Sequence, residues 1–201
     1  MLADCLVTSR NRYRNTMHDL RIVGVDDGAF RPNKQTIQHT LLVAVLFQGL
    51  RVQSVKTSRI EVDGRDSNAK MVALLKTVPH NVAMLSGVSF GGFNVVDIAK
   101  LARVTKRPVI AVSGEKPHNA AVYRALRKHF KDWKERWEAV QNAGPLYSCK
   151  PLRNEPKLFF EVKGASPAHA RSIIRSTATI SRLPEPIRVA RILARTLSCL
   201  D

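Results

Sequence analysis

Five carboxylates, Asp26, Asp27, Asp63, Asp66 and Asp97, stand at positions that the local pattern makes strand ends and helix starts. The chain has only 16 acidic residues against 33 Lys and Arg, and no acid lies between Asp27 and Glu61 or between Asp66 and Asp97. Carboxylates concentrated at such places suit a hard divalent cation, which takes oxygen ligands and keeps several waters, so that two or three convergent groups suffice. Each residue also has a plainer use. Asp27-Gly28 and Asp63-Gly64 are favoured turn pairs, Asp66 can cap the helix that follows it, and Asp97 stands three residues after Asn94, where a capping-box partner would sit. Both uses stay open at this point. The net charge of +17 supports the first, because a small acidic pocket in a positive field suits a polyanion whose phosphate is cut with the help of a metal ion.

The elements that must position these residues follow from period and punctuation. Leu20 to Asp26 is an apolar strand that turns at Asp27-Gly28. Gln38 to Phe47 is a continuous apolar strand, and Val52 to Val62 alternates as a strand with one wet face should. The links between them are too short for crossover helices, so the three are antiparallel. From Asp66 the period becomes helical, with Met71, Leu74, Leu75 and Val78 in register before Pro79. There follow a strand at Val82 to Leu85, a glycine-rich turn, a helix from Asn94 to Val104 and a strand from Pro108 to Val112. A long helix then opens at Pro117 and runs through Phe130 past Trp137. Alternation of this kind demands parallel strands with right-handed crossovers. The fold class is α/β, a mixed five-stranded sheet with helices on both faces. Lys157 to Lys163 is an edge or annex strand, and helices at Pro167 to Ile180 and Pro186 to Leu200 close the chain.

With 201 residues and 44% hydrophobic content, the chain is read as one domain over 1–201 with a basic helical annex at about 165–200. Three widely spaced cysteines, Cys5, Cys149 and Cys199, indicate neither a disulfide framework nor a zinc site. The first twenty residues contain Arg10, Arg12 and Arg14 and no apolar leader, and no window is apolar enough for a membrane span, so a cytoplasmic protein is expected. Nucleic acid is the partner that such a charge excess predicts. Arg188, Arg191 and Arg195 share a face of the last helix, Arg171 and Arg175 a face of the one before, and Arg127, Lys131 and Lys134 a face of the long helix. Such faces either track phosphates or are simply solvated. Trp133 and Trp137 read as packing more readily than as base-stacking platforms.

The run Gly87-Val88-Ser89-Phe90-Gly91 fits the nucleophile-elbow pattern, with Asp132 and His169 following in the order a serine hydrolase needs. Against that reading stand the antiparallel first strands and the absence of a glycine-rich oxyanion segment. Alternatively the glycines there, Gly91 and Gly92 with Asn94 after them, let helix and sheet approach or turn backbone N–H groups toward a phosphate.

Gly24-Val25-Asp26-Asp27-Gly28, Asp63-Gly64-Arg65-Asp66, the run Gly91-Gly92-Phe93-Asn94-Val95-Val96-Asp97-Ile98 and Pro184-Glu185-Pro186-Ile187-Arg188 together resemble the archaeal endonuclease dU family, which is similar to endonuclease V. The resemblance spans roughly residues 22 to 194 and is most specific in the GGFNVVD run. It implies a ribonuclease H-like sheet, three antiparallel strands followed by a parallel βαβα part. It also implies Mg²⁺- or Mn²⁺-dependent cleavage of a phosphodiester near a deaminated base, as in DNA repair. On it, Asp26 matches the first-strand metal carboxylate, with Asp63, Asp66 or Asp97 completing the shell. Lys116 corresponds to a basic residue near the site, and Ser86 stands where endonuclease V carries an aspartate. The expectation is therefore an endonuclease acting on DNA or RNA with catalytic residues Asp26, Asp97 and Lys116. The alternative is a nucleic-acid-binding protein without catalysis, and the serine hydrolase through Ser89 is a third reading.

Overall fold

A computed structural model describes residues 19–30 and 38–199. Cys5, Arg10, Arg12 and Arg14 lie outside the described residues. The main sheet holds seven strands in the order β3-β2-β1-β4-β7-β9-β8. These are β1 (Arg21–Asp27), β2 (His39–Gln48), β3 (Arg51–Glu61), β4 (Val82–Leu85), β7 (Val109–Ser113), β8 (Tyr147–Cys149) and β9 (Leu158–Lys163). A separate hairpin pairs β5 (Ser89–Phe90) with β6 (Asn94–Val95). The helices are α1 (Ser67–Lys76), α2 (Ile98–Thr105), α3 (Asn119–His129), α4 (Trp133–Asn142), α5 (Pro167–Thr177) and α6 (Glu185–Leu197).

Strands β1, β2 and β3 are antiparallel neighbours, and β1, β4 and β7 run parallel. The expected ribonuclease H-like order is thus present, but the sheet has seven strands rather than five. The Lys157 to Lys163 segment is not an edge: as β9 it lies antiparallel on β7, and β8 forms the rim outside it. Strand β8 has three residues and no room for an alternating pattern, which is why only pairing reveals it.

Strand β1 is apolar at successive positions because helices cover both its faces. Val23 and Val25 join Met71, Leu75, Ile98 and Leu101 in one core, while Ile22 joins Met84, Ile110, Phe160, Ile173 and Ile187 in another on the opposite face. A third cluster seats Ala190 and Ala194 of α6 on Val43, Val45 and Phe47 of β2. In α6 the buried Ile187, Ala190 and Ala194 fall at i, i+3 and i+7, and the two alanines are small enough to bring the helix close to the strands. Glycine completes that approach: a Cβ on Gly24 would lie 2.1 Å from the carbonyl carbon and oxygen of Pro186, and one on Gly28 would lie 3.0 Å from the carbonyl oxygen of Ala194.

Three further expectations change. The long helix opening at Pro117 is two helices, because Phe130 takes extended backbone (φ −126°, ψ 128°) between α3 and α4; Arg127, Lys131 and Lys134 therefore do not share one helical face. Strand β3 is wet along both faces over most of its length, with Ile60 its fully buried residue, because as the rim strand it has little above or below it. The helix expected from Asn94 begins instead at Ile98, with Asn94–Val95 serving as the return strand of the hairpin. Among the described residues no helix is long and apolar enough to cross a membrane.

Candidate active site

At β1 the sheet changes direction: the next strand in sequence, β2, lies on one side of it, and β4, reached through α1, lies on the other. Crevices at the carboxyl ends of strands beside such a switch point are where open α/β sheets bind ligands. Val25 is paired with Leu85, and the Ser86 N–H continues the ladder to the Val25 carbonyl at 3.1 Å, so Asp26 and Ser86 face each other at the end of adjacent parallel strands.

Asp26 is buried there and fully engaged. Its Oδ1 accepts the Ser86 hydroxyl in a short hydrogen bond and the Asp27 N–H at 3.0 Å. Its Oδ2 accepts Nε of Arg191 at 2.7 Å, an ion pair across 165 positions of sequence. Asp27, expected to form a turn, is instead the last residue of β1, and its Oδ2 accepts the Gly91 N–H at 2.7 Å. Burial pushes Asp27 up to about 6 from an ordinary 3.8; the Gly91 hydrogen bond opposes this, and the neighbouring Asp26 charge adds to it. Both carboxylates line a cavity of about 510 Å³ with Ser86, Arg191, Arg195 and Cys199. The cavity therefore combines two acids, a hydroxyl and two guanidinium groups, a donor set that can hold a hard cation and the phosphate it acts on.

Asp63, Asp66 and Asp97 do not line this cavity, and among the described residues no three Asp, Glu, His or Cys side chains gather closely enough to hold a metal ion. Their oxygens are committed to fastening the hairpin. Asp63, in the left-handed region at φ 57°, donates its N–H to the Gly91 carbonyl and accepts the Phe93 N–H at 2.8 Å. Gly92 must be glycine here, since at φ 84° a Cβ would lie 2.3 Å from Asp63 Oδ1. Asp66 Oδ1 accepts the Glu61 N–H and the Asn94 side-chain amide. Asp97 caps α2, its Oδ1 accepting the Lys100 N–H at 2.8 Å while Oδ2 accepts Nδ2 of Asn142 at 2.9 Å. Asn94 is wholly buried and serves as a joint: it accepts the Ser67 N–H and donates to the Glu61 carbonyl as well as to Asp66. Gly91 is buried and Gly92 exposed at the hairpin tip.

Arg136 adds the outer brace. It is buried, donates from Nη1 to the carbonyls of Gly64 and Phe93 at 2.9 and 2.7 Å, and pairs through Nε with Asp132 at 3.0 Å. Asp132 also pairs with Arg65, and the guanidinium and Arg136 hold its carboxyl below the usual range despite partial burial.

Of the basic residues, Arg195 lines the cavity one turn of α6 beyond Arg191. Arg188 is not available in the same way, since Glu185 holds it at 2.6 Å. Lys116 is exposed on the loop after β7, at the same carboxyl edge of the parallel strands as Asp26. Arg171 and Arg175 line a separate shallow groove along α5. Arg127 and Lys134 stand over the Trp133 ring at 5.5 and 5.7 Å, and Tyr123 packs edge-on against both Trp133 and Trp137, so the tryptophans are packing residues with cationic covers.

The nucleophile-elbow context is absent. Ser89 is exposed in a two-residue hairpin strand rather than on a strand-to-helix turn, Asp132 is taken by arginines, and His169 is a first-turn residue of α5 whose N–H is capped by Ser166. Sequence pattern does place Asp26 at a strand end, and the resemblance to endonuclease V points to the opposing Ser86. Pattern does not single out Arg191 as the partner of Asp26, because nothing local links two positions that meet only through the packing of α6 on β1.

The family model described as Endonuclease dU matches residues 18–198. A UPF0215 protein of Methanothermobacter thermautotrophicus is 36% identical over 189 residues, which are 92% of this chain and 90% of the relative. Among solved structures, a protein of unknown function from Archaeoglobus fulgidus is similar with a TM-score of 0.78 and 24% identity, over 89% of this chain and 98% of the other. Endonuclease V of Ciona intestinalis, solved with a 24mer DNA containing an inosine followed by a ribo-adenosine, is similar with a TM-score of 0.58 and 12% identity, over 98% and 100% of the two chains. At those identities the two structures establish a shared fold.

Proposed function

The chain belongs to the endonuclease dU family, and from that premise we propose that it is a metal-dependent endonuclease acting on DNA or RNA near a deaminated base. One observation carries the reading: Asp26, Asp27, Ser86, Arg191 and Arg195 converge on one cavity at the carboxyl end of the central strand, in a protein of net charge +17. Asp26 and Asp27 are the residues that would hold Mg²⁺ or Mn²⁺, since such ions need only one or two carboxylates when water and phosphate oxygens fill the remaining positions. When bound, the ion supplies an activated water and offsets charge on the scissile phosphate. Ser86 holds one oxygen of Asp26 and so fixes the carboxylate plane. Arg195 and Arg191 are placed to receive phosphate oxygens in the geometry for which guanidinium is suited, and Lys116 extends the positive edge. Asp63, Asp66 and Asp97 support the hairpin that holds Asp27 and are assigned no metal.

The test is cleavage of labelled strands containing deoxyuridine or deoxyinosine. Activity should be lost with a chelator, regained with Mg²⁺ or Mn²⁺, and lost in Asp26→Asn while binding of the uncut strand persists. Cleavage that survives both the chelator and Asp26→Asn would refute the assignment. A second reading, nucleic-acid binding without cleavage, is favoured by Ser86 in place of a carboxylate and by the arginine already seated on Asp26. Binding by a protein inert with either metal would select it.

A further inference from the structure

We propose that Arg191 is an exchangeable counter-ion, which occupies Asp26 in the free protein and transfers to phosphate when nucleic acid arrives, so that metal and nucleic acid bind cooperatively. The inference rests on the metal reading above and adds a role for a residue of the last helix. Asp26 is only 6% exposed at its side chain and accepts three hydrogen bonds, two at Oδ1 and the guanidinium at Oδ2. Oδ2 is therefore the oxygen nearest to free for a direct metal bond, and it is the one that Arg191 covers. A divalent ion joining Asp26 beside that guanidinium would meet a like charge within a few ångström, in surroundings where burial weakens solvent screening.

Arg191 can leave. Its side chain is 34% exposed, and it makes no other ion pair among the described residues, unlike the neighbouring Arg188 held by Glu185. It lines the same cavity as Arg195, one helical turn away, so rotation of the side chain off Asp26 leaves two guanidinium groups in one cavity, where a phosphate would be gripped by both. The backbone of α6 need not move, being fixed against Gly24 and Gly28. Nucleic acid thus offers Arg191 another anion and frees Oδ2, and by linkage the metal strengthens nucleic-acid binding by the same factor. The device also keeps Asp26 neutralised when no substrate is present, which an uncompensated buried carboxylate would not be.

The experiment is titration of the full chain with Mn²⁺, followed by electron paramagnetic resonance of the free ion and by calorimetry. In wild type a non-cleavable phosphorothioate strand should tighten Mn²⁺ binding about tenfold or more, and Mn²⁺ should tighten binding of that strand equally. In Arg191→Gln, without nucleic acid, Mn²⁺ should bind about tenfold or more tightly than to wild type, and the strand should add little further. Arg195→Gln should leave Mn²⁺ affinity of the free protein nearly unchanged while weakening the strand. If wild type binds Mn²⁺ with the same affinity whether or not the strand is present, the exchange is refuted, and the wild-type comparison decides this even should Arg191→Gln fold poorly. Equal or weaker Mn²⁺ binding by a folded Arg191→Gln refutes it likewise, with the metal reading intact. Wild type that binds no Mn²⁺ in either condition removes both.

Discussion

Gly24→Ala tests whether the last helix is as tightly seated on the central strand as its contacts imply. The added Cβ would lie 2.1 Å from two backbone atoms of Pro186 and 2.7 Å from the Ile187 nitrogen. Ordinary contact begins near 3.4 Å, so the start of α6 must retreat by about 1.3 Å or the strand must bend. Neither is easy. β1 is hydrogen-bonded on both sides in mid-sheet, and the obstacle is main chain rather than the end of a flexible side chain. Overpacking usually costs about 1–3 kcal/mol, and backbone opposition puts this case at about 3 kcal/mol or above. For a chain of this size that corresponds to a fall in Tm of roughly 6–12 °C. Urea unfolding followed by circular dichroism gives the free energy, and Mn²⁺ titration of the same variant shows whether the Arg191–Asp26 pair has loosened. A loss below about 1 kcal/mol would mean that α6 yields freely, and the claim that β1 and α6 form a rigid frame for the cavity would fail.

Replacing Arg136 with Met leaves the carbonyls of Gly64 and Phe93 without their buried donor and should cost about 3 kcal/mol, measurable by urea unfolding; a neutral result would show that water takes over both bonds. Glu161, buried in β9, is pushed up from 4.5 to about 7, so the folded state binds its proton more tightly than the unfolded one. Both states are protonated well below pH 4.5, and this stabilisation is lost as pH rises from about 4.5 through 7, by about 3 kcal/mol in all. Glu161→Gln should therefore stabilise at pH 8 and be neutral near pH 4, and parallel unfolding curves for the two proteins across that range would exclude this cause. Asp97→Ala removes a cap and should lower stability by about 1 kcal/mol while leaving cleavage per folded molecule unchanged, as an oligonucleotide assay would show; loss of metal-dependent cleavage in a folded variant would return Asp97 to the metal shell.

Much of the sheet was legible in the sequence because its strands are either continuously apolar, as in β1 and β4, or bounded by clear breakers. Loop lengths alone require the first three to be antiparallel, and the helix–strand alternation after Asp66 requires the parallel part. What escaped was set by tertiary contact. Asn94 has the type and place of a helix cap, yet its amide is used to join Glu61, Asp66 and Ser67, so the chain there returns as a strand and the helix waits for Asp97. Phe130 sits in a helical pattern, but it packs on Phe93 and under the Arg136 guanidinium, contacts bought by breaking the helix at that point. For the site, pattern put Asp26 at a strand end, because strand ends are local features, while Ser86 was reached only through the resemblance to endonuclease V. Pattern did not show which carboxylate joins Asp26 in the cavity: Asp63, Asp66 and Asp97 look equal to Asp27 in sequence, and only the fold, in which the Gly91 N–H of the hairpin tip meets Asp27, distinguishes them.

The dependence of β1 on α6 has a consequence for how the chain is made. β1 and β2 leave the ribosome well over a hundred residues before α6, and until that helix arrives Val43, Val45 and Phe47 have no cover on their outer side and Asp26 has no arginine. Synthesis proceeds at about 5–20 residues per second, so a nascent chain carries an open apolar strip and a bare carboxylate for many seconds. Completion of the cavity waits for α6, so a chain halted before Glu185 has no Asp26–Arg191 pair and leaves that strip uncovered.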